Sequence, residues 1–545
     1  MVTEVGSSSS LSGWLASKPG YERRRPEDTT LHAIVREHLE TFLARSRERE
    51  RPLPHFVEKE FRAYLECGIL AHGFLRLRCD ECRLDRLVPF SCKRRGFCPS
   101  CGGRRMADTA AHLVDCVLPE VPIRQWVLTL PYPLRYRCAY DATLTSHALR
   151  AFLRALFAAQ RRRARDRWGE ARVQCGAVTF IQRFGSALNL NVHFHTLALD
   201  GVYTRDDSTP GNFLPLPPPS ADEVARVLAG TARRITRLLA SRTDDDDTLA
   251  RDEPLLATLA AASLRSRIPS GPHAGQRWRR LGDRVEPEEA GADPEASPRV
   301  PQYGGMSLHA DVAVPARDRR RLERLCRYVA RPPLAHDRLE ARADGQLALR
   351  LKTRWRDGTT HILMERHELL ERLTPLIPPP RAHQVRYHGV LAPCASFRDR
   401  IVPGPRRPWE QAGPEVKGPI REPNETPTGT HPSAPKAFGR VGDSETTDSS
   451  FAVNPRTQAK RPASALRSAG DSRSADHLDT VADRTRSRRL PWAELLQRVF
   501  SVDALRCPRC GVPMHLIAAI DDSRVARKIL ACLGLPARAP PLGSN

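Results

Sequence analysis

The chain holds no apolar run approaching the ~18 residues that a membrane-spanning helix requires, and Arg interrupts its longest hydrophobic windows. An integral membrane protein of the helical kind is therefore excluded. It carries no GxxxxGK[ST] loop, so chemistry driven by P-loop nucleotide hydrolysis is not expected. The opening MVTEVGSSSSLSGWLASKPGYERRR lacks the charged start and apolar stretch of a secretory signal, so a reducing cytoplasm is the expected compartment. Acid is in short supply: 63 Asp+Glu stand against 87 Lys+Arg, a formal net charge of +24. The excess points to a polyanion, nucleic acid first, the bland alternative being the Arg-codon bias of a GC-rich genome. The obvious acidic run, Asp244 to Asp247, falls in a loop and argues against an active site of separated carboxylates.

What is present suffices for about three folded units plus linkers, since the 545 residues are 40% apolar. Residues 1–28 are Ser-, Gly- and charge-rich and read as a disordered lead-in. Apolar residues at helical spacing (Leu31, Ile34, Val35, Leu39, Phe42, Leu43) predict one helix, and 55–66 predict another. They open a helical and cysteine-rich domain over 30–110. A domain over 120–402 follows. It contains the strand Trp126–Leu130, stopped by Pro131, and a basic-ended helix over 145–168. Next come strands at Gly176–Phe184 and Asn191–Tyr203, then a helix over 222–240. A strongly basic helix over 316–331 ends at Pro332-Pro333, and a hairpin turns at Asp357-Gly358. Residues 403–487 are rich in Pro, Ser, Thr and Gly, which predicts a disordered linker. A small module over 488–537 closes the chain with an amphipathic helix and a CPRC pair.

The 14 cysteines include three CxxC pairs where chance gives roughly 0.4. Cys79-Asp-Glu-Cys82, fifteen residues, then Cys98-Pro-Ser-Cys101 is the spacing of a zinc ribbon, in which two tight turns present four thiolates to one tetrahedral Zn2+. Cys67, His72 and Cys92 flank it; they read as packed or free side chains more readily than as part of a second site. Cys507 and Cys510 are only half of such a site, with His515 or Cys532 as completing candidates, and their plain reading is a turn beside a helix. Lys93, Arg94 and Arg95 between the knuckles, and Arg104 and Arg105 after them, place cations for DNA phosphates beside the metal.

His193 and His195 lie two apart in an apolar, β-rich run, so both imidazoles point to one face of a strand and can share a divalent cation. Tyr328 lies in ARDRRRLERLCRYVARPP. Its helical face-mates are Arg321, Arg324 and Arg331, while Leu322, Leu325, Cys326 and Val329 form the adjoining apolar face. A tyrosine on the wet, basic side has a phosphate-handling role more readily than a packing one.

The order of these motifs resembles that of HUH nucleases: a strand motif, His-hydrophobic-His, then a tyrosine on a helix. The set YLECGILAHGF, CDECRLDRLVPFSCKRRGFCPSCGGRR, WVLTLPYPLRY, GAVTFIQRFGSALNLNVHFHTLALDGVY, LCRYVARPP and VRYHGVLAP resembles the rolling-circle transposases of the IS91 and common-region class. The resemblance implies an α+β fold: an N-terminal helical plus zinc-ribbon domain, a central antiparallel HUH-nuclease sheet flanked by helices, the linker, and the C-terminal CxxC module. It implies Tyr328 as nucleophile on single-stranded DNA, structural Zn2+, and a catalytic Mg2+ or Mn2+ on His193 and His195, with Gln182 on the preceding strand as third ligand. The branch with two tyrosines four residues apart has its first at the position of Arg324. This chain resembles the single-tyrosine branch, for which strand transfer needs sequential use of Tyr328 or a second protomer. The same residues leave two other functions open: a zinc-dependent DNA-binding protein without catalysis, and a replication initiator or relaxase with the same nicking chemistry.

Overall fold

The computed structural model describes residues 21–48, 50–205, 211–241, 247–281, 301–355, 357–403, 491–500 and 502–543. Most of the expected lead-in, most of the linker and most of the acidic run at 244–247 lie outside these residues. The end of the lead-in packs rather than trails: Arg23 Nη1 donates to the Gly68 carbonyl at 3.2 Å. Among the described residues no helix is long and apolar enough to cross a membrane.

Helices α1 (Thr30–Glu48) and α2 (His55–Glu66) form where the apolar periodicity places them. Phe42 of α1 meets Phe61 of α2 at 6.5 Å between centroids, and the buried face of α2 meets the ring of Phe97, whose centroid lies 4.8 Å from that of Phe61 and 5.1 Å from that of Tyr64. A hairpin of β1 (Phe74–Arg78) and β2 (Asp85–Pro89) follows, then α3 (Pro99–Cys116), which starts on a proline whose missing N–H costs a helix nothing at its first turn. That helix continues the second knuckle and has no counterpart in the sequence reading.

The central unit is a seven-stranded antiparallel sheet. Along the chain it uses β3 (Ile123–Thr129), then β4 (Gly176–Phe184) and β5 (Leu190–Leu199). It adds β6 (Met306–His309) and β9 (Val385–Gly389), with short flanking segments at Gln302–Tyr303 and Ala313–Val314. The main order is β6-β3-β5-β4-β9, so β5 lies in the middle, and all ten of its residues are buried. It stops at Leu199 rather than running on to Tyr203. Asp200 turns aside into a bidentate pair with Arg124, at 2.7 and 2.9 Å, and Gly201–Thr204 joins a separate sheet. Helices α4 (Tyr132–Tyr140) and α5 (Ala142–Trp168) connect β3 to β4, and α6 (Ala221–Ala240) follows β5. Helix α5 begins where the Asp141 side chain accepts from Leu144 N at 2.7 Å, and ends at Gly169, whose φ of +67° only glycine adopts cheaply.

Side-chain alternation gives the sheet two unlike faces. Trp126, Leu128, Val192 and Phe194 join one core with Phe152 and Leu156 of α5. On the reverse face Val178, Phe180, Leu197 and Leu199 pack against α3 and against α7 (Arg319–Val329) through Leu113, Val114, Leu322, Leu325, Cys326 and Val329. Arg319 locks the two helices together, donating to the carbonyls of Val114, Leu118 and Pro119 at the end of α3. A second antiparallel sheet contains β7 (Leu347–Arg350) and β8 (His361–Met364). After residue 490 come α8 (Trp492–Phe500), β10 (His515–Ile520) and α9 (Ser523–Cys532).

Candidate active site and metal centres

The register of the sheet decides which polar groups share the α7 face. On β5, His193 stands opposite Gln182 of β4 and Thr129 of β3, and His195 opposite Phe180 and Val127. Opposed residues point the same way, so Gln125, two before Val127, joins His193, His195 and Gln182 on that face. The two imidazole Nε2 atoms lie 3.0 Å apart. His193 Nδ1 is 2.8 Å from the Asn191 carbonyl, which fixes its proton on Nδ1 and leaves Nε2 as the lone-pair nitrogen. His195 Nδ1 is 2.7 Å from Gln125 Nε2. With the amide turned over, Gln125 Oε1 would accept from Nδ1–H and free the second Nε2 as well.

Burial pushes His193 down to about 4, the Asn191 contact opposing it and Arg331 and Arg135 adding to it. His195 is driven well below its ordinary value, by burial first and then by His193, Arg331 and Lys352. Both rings are therefore neutral near pH 7, the form that ligates a cation. Gln182 Nε2 donates to the Val329 carbonyl at 2.7 Å, while its Oε1 is buried without a partner. Buried polar atoms are nearly always paired, so an orphan acceptor beside two imidazoles suits a cation site. The 3.0 Å between the imidazole nitrogens is about the edge of an octahedron with ligand distances of roughly 2.1 Å.

Helix α7 brings Tyr328 to this face. Asp318 caps its start, accepting from Arg321 N at 2.9 Å, and Pro332-Pro333 follow its end. Its apolar stripe is buried on the sheet, and Tyr328 is left 40% exposed. The tyrosine ring meets His195 edge-on, with centroids 5.9 Å apart and planes at 88°. Arg331 Cζ lies 4.4 Å and Lys352 Nζ 3.9 Å from the centroid of the same ring. Lys352, just past β7, is held down to about 8, by burial and then by repulsion from Arg331 and Arg338. Gln125 and Lys352 were not legible as site residues. The first is two residues from a β3 partner of the His strand, and the second comes from a different sheet.

The four thiols expected in one ribbon are divided between two clusters. Cys98 and Cys101 converge with Cys67 and Cys92, with sulfur separations of 3.4 to 3.7 Å. Cys79 and Cys82 converge with Cys507 and Cys510, at 3.3, 3.4 and 3.8 Å. Four sulfurs about 2.3 Å from one zinc stand roughly 3.8 Å from each other, so either cluster could hold a metal ion. Spacing arithmetic missed the division because it ignores direction. Cys79 and Cys82 sit at the tip of the β1–β2 hairpin, and two five-residue strands carry them roughly 16 Å from its base, where Cys67 and Cys92 lie. His72 and Cys532 are in neither cluster, and His515 Nε2 instead faces Asp80 at 3.3 Å.

Of the cations singled out for DNA, Lys93, Arg95 and Arg104 are exposed around the first cluster, and Arg321 and Arg324 are exposed along α7. Arg105 has a local duty, donating to the carbonyls of Lys93 and Arg94 at 3.2 and 3.0 Å. Arg94 is half-buried, and Arg331 is committed to the Tyr328 and Phe184 rings.

Residues 176–398 match a transposase family model, Y2_Tnp, and residues 34–130 match the transposase zinc-binding domain of the IS91 type. The first stretch contains Gln182, His193, His195 and Tyr328. The second contains all four thiols of the first cluster and two of the second. This pairing of a zinc-binding domain with a transposase domain defines a DNA transposase, an enzyme that cleaves and transfers DNA strands. The chain belongs to the IS91-family transposases. No curated protein and no solved structure matches it.

Proposed function

We propose that this transposase acts on single-stranded ends of a rolling-circle element, with Tyr328 as its nucleophile. One observation carries the reading: the Tyr328 ring lies against His195, itself 3.0 Å from His193. The Tyr328 oxygen attacks the scissile phosphorus, and its O–P bond forms as the P–O3′ bond breaks. The products are a 5′-phosphotyrosine and a 3′-hydroxyl. The phenol proton passes to solvent, which the exposure of Tyr328 allows, and the departing 3′ oxygen gains a proton from water.

Phosphoryl transfer is governed by positioning and by neutralising charge on the phosphate. Arg331 and Lys352 supply that charge against the tyrosine ring, and the exposed Arg324 and Arg321 continue it along α7. His193, His195 and Gln182 would hold Mg2+ or Mn2+, whose charge would polarise the scissile phosphate. Gln125 orients His195, and the Asn191 carbonyl orients His193. The phosphotyrosine conserves the energy of the broken bond, so attack by a target 3′-hydroxyl needs no nucleotide cofactor. With Arg324 at the place of a second tyrosine, two strands are handled in sequence by Tyr328 or by two protomers.

The test is incubation of the full chain with single-stranded element ends and Mn2+, followed by gel and mass analysis. A covalent adduct on the Tyr328 peptide is expected, and Tyr328→Phe should abolish it. An undiminished adduct in that variant would move the nucleophile elsewhere, with Tyr387 of β9, the tyrosine of VRYHGVLAP, first in line. The absence of any adduct in the parent chain would favour a DNA-binding protein without catalysis.

A further inference from the structure

The second thiol cluster draws its members from opposite ends of the chain. Cys79 and Cys82 lie at the tip of the β1–β2 hairpin, and Cys507 and Cys510 lie between α8 and β10, outside the matched zinc-binding stretch. Neither pair completes a site alone. The segments that carry them are nevertheless docked by three further contacts. Strand β10 adds to β1 in antiparallel register, from Phe74 opposite Ile520 to Arg78 opposite His515, making a three-stranded sheet. Leu70 and Phe74 are buried with Ala526 and Leu530 of α9. Arg86, buried in β2, donates to the carbonyls of Ala504 and Arg506 at 2.7 and 3.1 Å, just ahead of Cys507.

These contacts leave much of the module's apolar surface outside: Leu516 and Ile517 of β10 remain 59% and 50% exposed. A module this small rarely holds together or stays docked on burial alone, and natural examples recruit a metal or disulfides. Four sulfurs at tetrathiolate spacing supply that means here. Ligation would release four thiol protons and leave a site of net charge −2, beside which the Arg86 guanidinium is already placed.

We propose that Cys79, Cys82, Cys507 and Cys510 form a discontinuous zinc site that clasps the C-terminal module onto the N-terminal domain and braces the Tyr328 helix. The brace runs through α8. Its Leu495 and Val499 pack on Ala107 and Ala111 of α3, while Arg498 pairs with Asp115 of α3 and, at 2.9 Å, with Glu323 of α7. Glu323 is five residues before Tyr328 on the same helix. The clasp stands independently of the nuclease reading, and only its consequence for nicking rests on that reading.

The test uses the full chain with a specific protease site introduced within 407–487, in reducing buffer with excess Mg2+. The parent is expected to carry two zinc ions per chain, and after cutting its two fragments should co-elute on gel filtration. Cys507→Ser with Cys510→Ser should lose one of the two zinc ions and half the tetrathiolate absorption of the cobalt-substituted protein, and its fragments should separate. The retained half reports that the N-terminal domain is still folded. Cys507→His, which keeps a zinc ligand, should restore co-elution. Retention of both metals by the double variant, or co-elution of its fragments, would overturn the clasp. So would parent fragments that co-elute in a buffer without reductant but separate in the reducing one, since disulfides would then be the link. Arg498→Ala should keep both zinc ions and slow adduct formation severalfold, and an unchanged rate would overturn the brace. A parent chain that forms no adduct at all would count against the nuclease reading and leave the zinc and co-elution results standing.

Discussion

The cysteine clusters and the imidazole pair are both suited to metal, and they are built on opposite plans. Each cluster offers four thiols and closes its own coordination shell, with no position for a substrate. The face of β5 offers two imidazoles and one orphan amide oxygen, with a half-exposed tyrosine at its edge. Closed sites of this kind hold protein together. Open ones leave room for a phosphate. The sequence environments differ accordingly: the thiols sit at turns and helix starts, where backbone direction changes sharply, while the imidazoles sit on a fully buried strand whose position is fixed on both sides.

Ligand loss at the open site should destroy chemistry and spare the fold. His193→Ala with His195→Ala should cut adduct formation by about 10³-fold or more, the scale of several kcal/mol of lost charge stabilisation, without releasing zinc. Single-turnover adduct yield with parallel zinc analysis checks this, and zinc release would erase the distinction. Ligand loss at the first closed site should do the reverse. Cys98→Ser should release one zinc ion and lower the thermal stability of the N-terminal domain by several kcal/mol, because structural zinc binding is folding energy. Calorimetry and zinc counting on the same sample read it, and an unchanged melt would mean that the thiols merely pack.

Smaller effects sharpen the open site further. Gln125→Leu leaves His195 Nδ1 without its partner and should raise the Mn2+ concentration needed for nicking by about 10- to 100-fold, with the rate at saturating Mn2+ largely retained. A loss of rate that excess Mn2+ does not rescue would assign Gln125 to packing. The smallest effect belongs to the cations around the first cluster. Lys93→Ala and Arg104→Ala should each weaken DNA binding uniformly across sequences. Each should also reduce the slope of log affinity against log salt by roughly 0.7 to 0.9. A salt titration by fluorescence anisotropy decides whether these exposed side chains touch phosphate.

Much of this was legible from residue order. The helices at 30–48 and 55–66 follow from apolar periodicity, and the strand Gly176–Phe184 follows from its β-branched and aromatic run. The same-face placement of His193 and His195 follows from the twofold alternation of a strand, and the exposed setting of Tyr328 from the stripe Leu322, Leu325, Cys326 and Val329. These are local regularities, with periods of two and of about 3.6 residues, and local chain geometry enforces them wherever the chain goes.

What only the tertiary structure decided is which distant groups meet. Gln125 reaches His195 because β3 pairs beside β5, and Lys352 reaches Tyr328 from just past a strand of another sheet. Cys79 finds Cys510 across almost the whole chain, while its near neighbour Cys98 turns back to Cys67. Spacing constrains two residues only while the backbone between them keeps one direction. Once a hairpin, a sheet register and a docked module intervene, packing chooses the partners, and a motif names its ligands without naming their company.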